Sequence, residues 1–217
     1  MVQFFKETDL KNIICVDHPI VKHKLSVLRN KNTSSRQFRS IMAELTRLIG
    51  YEASRDLELR NVSLETPLCE TEGHELGVTP IVVSIMRAGN GMLESILNLM
   101  PTAKAGHIGI YRDKFINSTV EYYFRLPKDL NGKDVFLLDP MIATGDTALA
   151  CLSRLRQCGV RNINLITFLI SESSAKKIVD EYPNVQIYCA NIEKELDENG
   201  YLVPGMGDVG SRLYTDA

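Results

Sequence analysis

The sequence predicts an α/β domain built on a doubly wound parallel sheet, and three observations carry that prediction. Short apolar runs suited to strands buried on both faces recur at 80–85, 135–138, 162–170 and 185–189, with helix-like stretches between them. Two of these runs open the same succession of strand, polar glycine-bearing loop and helix, at 80–100 and 135–156. The 217 residues suit one domain with a substantial core. Strands that alternate with helices in this way build parallel sheets with ligands at the carboxyl ends of the strands.

Taken in order, Asn12 to Asp17 reads as a short strand, and Pro19 to Leu28 as an amphipathic helix with Ile20, Val21, Leu25 and Leu28 inward. Thr33-Ser34-Ser35 precedes a long helical pattern from Arg36 to about Leu59, with Phe38, Ile41, Met42, Leu45, Leu48 and Ile49 on one stripe. Leu57 to Cys69 alternates loosely and suits a hairpin or an edge strand. This first stretch holds no strand-loop-helix anion seat, and Lys22, Arg29 and Lys31 read as solvated surface charge.

Pro80 to Ile85 reads as a buried strand, Met86 to Gly91 as a loop, and Met92 to Met100 as a helix closed by Pro101. Within the loop, Arg87 is a fixed cation whose donor fork can grip a diphosphate at two points. Ala105 to Tyr111 suits a further strand leading into Arg112-Asp113-Lys114, and after a polar turn at Asn117-Ser118-Thr119 comes Val120 to Leu126, rich in aromatic and β-forming residues. Two strands joined by a polar turn make an arm or lid, which keeps water from a reactive intermediate. Tyr122-Tyr123-Phe124 reads as packing or a subunit contact.

The chemistry centres on Val135 to Leu149. The apolar run 135–138 ends at Asp139, Ala143-Thr144-Gly145-Asp146-Thr147 forms a small polar turn, and 148–156 is helical with Gly159 as its stop. Free N–H groups at the helix start and the Thr144 and Thr147 hydroxyls favour a phosphate, and Gly145 allows close backbone approach. Ionised Asp139 can hold a vicinal diol. Neither a Walker loop nor a Gly-x-Gly-x-x-Gly after a strand is present, so the unit suits a phosphorylated ribose better than a polyphosphate tail.

Beyond it, Asn162 to Ile170 reads as one buried strand, Ser171 to Tyr182 as a helix with Ala175, Ile178 and Val179 inward, and Val185 to Cys189 as another strand. This order puts Arg87, Arg112 and Asp139 along one edge of the sheet. The tail from Asn199 to Arg212 carries four glycines and one proline, reads as too irregular for helix or strand, and leaves backbone groups open to a small planar ligand.

Charge and cysteine content narrow the function classes. With 25 basic and 27 acidic residues, a net charge of −2 and no like-charge block, nothing points to nucleic acid or a membrane surface as partner. Five cysteines without C-x-x-C spacing, mostly in apolar segments, read as reduced thiols of a cytoplasmic protein. The opening MVQFFKETDLK lacks the apolar core of a secretory signal, and no apolar run approaches the roughly 18 residues of a membrane span.

Asp139-Pro140-Met141-x-Ala143-Thr144-Gly145 resembles the ribose-5-phosphate loop of the type I phosphoribosyltransferases, and most closely that of the uracil phosphoribosyltransferases, where Asp-Pro stands for the wider family's two adjacent acids. Ile85-Met86-Arg87-Ala88-Gly89 is similar to the pyrophosphate loop of the same enzymes. Gly-Tyr-Leu-Val-Pro-Gly-Met-Gly-Asp-Val-Gly at 200–210 resembles their signature Gly-Tyr-Ile-x-Pro-Gly-Leu-Gly-Asp-Ala-Gly. The resemblance spans nearly the whole chain in order, with its strongest motifs at 81–91, 108–113, 135–147 and 200–212.

That resemblance implies a type I phosphoribosyltransferase-like doubly wound parallel sheet with a hood and a β-arm. Residues 1–75 would form the hood and subunit contact, 76–190 the core with its arm at 111–127, and 191–217 the base-binding tail. The implied reaction joins uracil to 5-phosphoribosyl 1-diphosphate (PRPP), giving UMP and diphosphate in pyrimidine salvage. PRPP would lie on Arg87, Arg112, Asp139, Pro140, Met141, Ile142, Ala143, Thr144, Gly145, Asp146, Thr147 and Asp208. Asp139 would hold the ribose hydroxyls, Arg112 the departing diphosphate, and Asp208 is the sole candidate general base. Uracil would sit on Tyr201, Leu202, Gly207, Asp208 and Val209, mainly through backbone, which can match its carbonyls and N3 donor and reject an added amino group.

Mg²⁺ would ride mainly on substrate oxygens, because Pro140 removes the second acid and Mg²⁺ needs few protein ligands. The resemblance also implies a homodimer or homotetramer, with GTP a candidate effector. Two departures stand out: Asp146 where a small residue is usual, which should weaken phosphate binding unless it turns to solvent, and Val209 where Ala is usual, which adds bulk beside the base. Two rival readings are a related enzyme using another base and a phosphoribosyltransferase-like regulator of pyrimidine-gene RNA, against which the scattered charge argues.

Overall fold

Runs such as Val135-Phe136-Leu137-Leu138 are satisfied only where both faces of a strand are covered. In the computed structural model of the chain, which describes residues 11–113, 118–130 and 132–214 (112 and 113 for backbone alone), every residue of that run is buried. The elements in chain order are β1 (Ile13–Cys15), α1 (Pro19–Arg29), α2 (Ser35–Ala53), β2 (Leu59–Glu65), β3 (Glu70–Leu76), β4 (Ile81–Met86) and α3 (Asn90–Leu99). Then follow β5 (Lys104–Asp113), β6 (Ser118–Arg125), β7 (Val135–Leu138), β8 (Met141–Ile142), α4 (Asp146–Gln157), β9 (Ile163–Ile166), β10 (Leu169–Ser171) and α5 (Glu172–Glu181). The last are β11 (Val185–Cys189), β12 (Asn191–Glu193), β13 (Glu195–Leu196), β14 (Leu202–Val203) and α6 (Val209–Tyr214).

The main sheet has seven strands in the order β1-β11-β9-β7-β4-β5-β6. Its pairings are parallel except for β6, which returns antiparallel beside β5. Alternating side chains feed two cores: Val83 and Leu137 pack with Leu152 of α4 and Ile178 of α5 on one face. Val82 and Phe136 pack with Leu28, Phe38, Ile96 and Leu213 from α1, α2, α3 and α6 on the other. Such two-sided cover is the doubly wound arrangement, and it leaves the carboxyl ends of β4, β5 and β7 as the open edge where loops gather.

Several boundaries differ from the sequence-based expectation. Ile20 is 49% exposed, because Val21, Leu25 and Leu28 at i, i+4 and i+7 define the inward face of α1. The long helix stops at Ala53 instead of near Leu59, where Ser54 leaves the helical conformation at ψ 2 and the Leu57 N–H bonds to the Ser54 carbonyl in a turn. The hairpin expected at 57–69 runs on to Leu76 and forms a two-stranded sheet of its own, with Leu59, Leu64 and Leu68 exposed.

The single strand expected over 162–170 is two strands in two sheets. Thr167 donates its N–H to Tyr188 while Phe168 donates to Pro140, so β9 stays in the main sheet and β10 joins β8 and β12. The tail is not irregular throughout, because positive-φ glycines at 200, 205 and 207 make the turns and leave room for β14 and α6. Among the described residues, no helix is long and apolar enough to cross a membrane.

Candidate active site

Arg87 follows β4 and Asp139 follows β7, on neighbouring parallel strands. Gly89 lets the Arg87 loop fold across the strand ends: a Cβ there would stand 2.4 Å from the Leu138 carbonyl oxygen and 2.6 Å from that of Ile85. The outcome is a cavity of about 240 Å³ bordered by Arg87, Asp139, Thr144, Gly145 and Thr147. Met141, Ile142 and Ala143 also border it, whereas Pro140 is buried behind them.

Gly145, at φ 80, turns the chain into α4, and no side chain caps the first N–H groups of that helix. Those donors suit a phosphate. The preceding carbonyl, of Ala143, accepts the hydroxyls of both Ser171 and Ser174 at 2.6 Å, which fixes the loop against α5. Asp146 departs from a simple seat: its carboxylate accepts the Thr144 hydroxyl at 3.1 Å and lies 3.6 Å from the Lys177 ammonium. Asp146 borders a separate hollow of about 410 Å³ on the outer side of α4, shared with Lys177 and Glu181.

Asp139 sits at the floor of the small cavity. Burial of its carboxyl pushes the pKa up to about 7, opposed by a hydrogen bond from the Met141 backbone N–H. A carboxyl in this state takes a charge readily once a cation or a diol arrives to share it.

The tail closes the site from the other side. At Gly200, φ 81, a Cβ would lie 3.3 Å from the Thr144 methyl. A Cβ at Gly210 would lie 3.5 Å from an Asp208 carboxylate oxygen and 3.9 Å from the Arg87 guanidinium. The Tyr214 hydroxyl donates to the Arg87 carbonyl at 3.2 Å. The tail therefore packs against the Arg87 loop at one point and against the 143–147 loop at another. Leu202 and Val209 have buried side chains, while Tyr201 and Gly207 are exposed. The Asp208 carboxylate accepts the Ser211 N–H at 2.7 Å at the head of α6. Arg112 belongs to the backbone of β5, opposite Thr119, and its side chain lies outside the described residues, as do residues 114–117 of the arm.

Arg29 is not the solvated charge expected from sequence. It pairs with Glu193, which is 4% exposed, and donates to the Gly205 carbonyl at 2.7 Å. Arg212 donates to the carbonyls of Met206 at 2.8 Å, Asn30 at 2.7 Å and Leu28, with its guanidinium 4.3 Å above the Phe38 ring. These two cations hold the tail loop against α1 and the turn that follows it. Sequence reasoning misses them, together with Ser171 and Ser174, because an Arg or Ser that serves a distant carbonyl has no local signature; the serine cluster at 171–174 is the one cue the sequence offers.

A uracil phosphoribosyltransferase family model matches residues 15–215. A uracil phosphoribosyltransferase of Finegoldia magna is 43% identical over 206 residues, covering 94% of this chain and 99% of that relative. One of Polaromonas naphthalenivorans is 42% identical over the same shares. A solved protein structure from Aquifex aeolicus superposes with a TM-score of 0.89 at 33% identity, covering 94% of this chain and 99% of that one.

Proposed function

The chain belongs to the uracil phosphoribosyltransferase family, and on that premise we propose that it transfers the 5-phosphoribosyl group of PRPP to N1 of uracil, releasing UMP and diphosphate in pyrimidine salvage. The observation that carries this reading is the meeting of Arg87, Asp208 and the phosphate loop around Gly210 and Gly200. Two of these segments border one cavity of about 240 Å³, and the tail packs against both of them.

In the reaction so read, the diphosphate leaves C1 of the ribose as positive charge develops on the ring, and N1 of uracil attacks from the opposite face. Arg87 and Arg112 take the growing charge of the diphosphate, Asp139 accepts the ribose hydroxyls, and the start of α4 holds the 5-phosphate. The base rests on backbone groups of 201–209, whose glycine turns are braced by Arg29 and Arg212. Asp208, at the head of α6 and beside Arg87 across Gly210, is the candidate for taking the N1 proton.

The donor set fits Mg²⁺ carried by the substrate. Asp139 is followed by a proline without a side-chain donor, and no cluster of three His, Cys, Asp or Glu side chains occurs among the described residues. When bound, Mg²⁺ would neutralise diphosphate oxygens, with Asp139 its protein contact. An isolated two-stranded hairpin is marginal in water, so the exposed leucines of β2 and β3 support a homo-oligomer, a dimer or a tetramer.

The test is diphosphate release from PRPP and Mg²⁺ with uracil, cytosine, hypoxanthine or orotate supplied separately, with and without GTP. Turnover with uracil alone supports the reading. Turnover with another base moves the chain to a different base within the superfamily, and an increase with GTP identifies the effector.

A further inference from the structure

Two cysteines outside the active site form a chemically matched pair. Cys15 ends β1, the edge strand of the main sheet, and Cys189 ends its neighbour β11; they are direct register partners in a parallel pairing. Neighbouring strands lie about 4.8 Å apart, inside the Cα separations of about 4.4–6.8 Å that a disulfide spans, and register partners point to the same face. Cys15 is exposed and Cys189 is buried. Cys15 donates its S–H to the Ala190 carbonyl at 3.5 Å, and the neighbouring Cys189 thiol holds Cys15 below the ordinary thiol pKa, while Cys15 and burial raise Cys189 well above it. The Lys22 ammonium also favours a charge on Cys15, while partial burial and Asp17 oppose it.

We propose that Cys15 and Cys189 are a hydroperoxide-responsive thiol pair, Cys15 attacking and Cys189 resolving. The Cys15 thiolate attacks a peroxide oxygen: an S–O bond forms, the O–O bond breaks, and the departing hydroxide takes a proton to leave water and a sulfenic acid. Cys189 then loses its proton and attacks that sulfur, so that an S–S bond forms, the S–O bond breaks and a second water leaves. The two thiols supply the two electrons that reduce the peroxide. The resulting bond ties the strand leading into α1, which carries Arg29, to the strand leading towards Glu193, so it joins the segments that carry this ion pair.

The experiment treats the reduced full-length chain with one equivalent of hydrogen peroxide, blocks the remaining thiols and maps peptides without reduction. The expected product is a linked peptide pair containing Cys15 and Cys189, lighter by two hydrogens. In Cys189→Ser, shown to be folded by circular dichroism, dimedone should trap a sulfenic acid at Cys15; in Cys15→Ser no adduct should appear at Cys189. The wild-type chain gives a second readout, with iodoacetamide labelling Cys15 faster than Cys69, the exposed thiol on the hairpin. Oxidation of Cys69 at an equal or greater rate, links between chains in place of the Cys15–Cys189 link, or no oxidation of Cys15 would overturn the proposal.

Discussion

The Thr144 hydroxyl donates to the Asp146 carboxylate at 3.1 Å, inside the loop that should hold a phosphate. A donor suited to the ligand is thus engaged by the chain itself, and a negative charge stands at the head of α4. Lys177, at 3.6 Å, offsets part of that charge. Asp146→Ala frees the hydroxyl and removes the repulsion. The expected result is a KM for PRPP lower by about three- to tenfold with kcat unchanged, measured in steady-state assays; Lys177→Gln should shift KM in the opposite direction.

The two serine hydroxyls on the Ala143 carbonyl fix the same loop from the side of α5. Each is worth about 1 kcal/mol as a neutral hydrogen bond, so Ser174→Ala should weaken PRPP binding about fivefold. Ser171 also caps α5 by accepting the Ser174 N–H at 3.0 Å. Its alanine variant should in addition lower unfolding free energy by about 1 kcal/mol in urea titrations.

Asp139 ties stability and activity to pH. Its folded pKa of about 7 stands above the ordinary 3.8, so the ionised carboxyl destabilises the free fold. The cost is absent below pH 3.8, where the group is protonated in both states, grows as pH rises, and is complete above about 7. Asp139→Asn should thus match wild-type thermal stability near pH 4 and exceed it near pH 8, by roughly 2–4 kcal/mol. Conversely, kcat/KM for PRPP should rise with pH through about 7 in the wild type, and Asp139→Asn should lose that rise.

Glu193 is 4% exposed and its charge is met by Arg29. Removing the partner strands a buried carboxylate, so Arg29→Met should cost about 3 kcal/mol of stability. The base loop would lose its hold on the Gly205 carbonyl. The KM for uracil should rise more than that for PRPP, and the double variant Arg29→Met, Glu193→Gln should recover stability without recovering the KM.

Much of the fold and the site is legible in the order of the residues. Apolar runs announce β4, β7 and β11, and the acid, glycine and hydroxyl residues at 139–147 announce the loop that borders the small cavity, because buried strands and tight turns admit few residue types. The break within 162–170 is not legible: a strand-like run with a single Thr in its apolar half gives no sign that Thr167 and Phe168 change hydrogen-bonding partners between sheets. Nor is the role of Arg29, whose partners Glu193 and Gly205 lie more than 160 positions away. Long-range pairing of a charge with a carbonyl or a carboxylate leaves no periodic trace.

The central claim is that three segments form one site for uracil and PRPP. Its most direct test is chromatographic measurement of UMP and diphosphate formed from uracil, PRPP and Mg²⁺ at pH 8 by the wild-type chain and by Asp139→Asn. One UMP per diphosphate is expected for the wild type, and a rate lower by about a hundredfold or more for the variant. Equal rates for the two proteins, or no UMP from a wild-type chain that binds PRPP tightly, would contradict it.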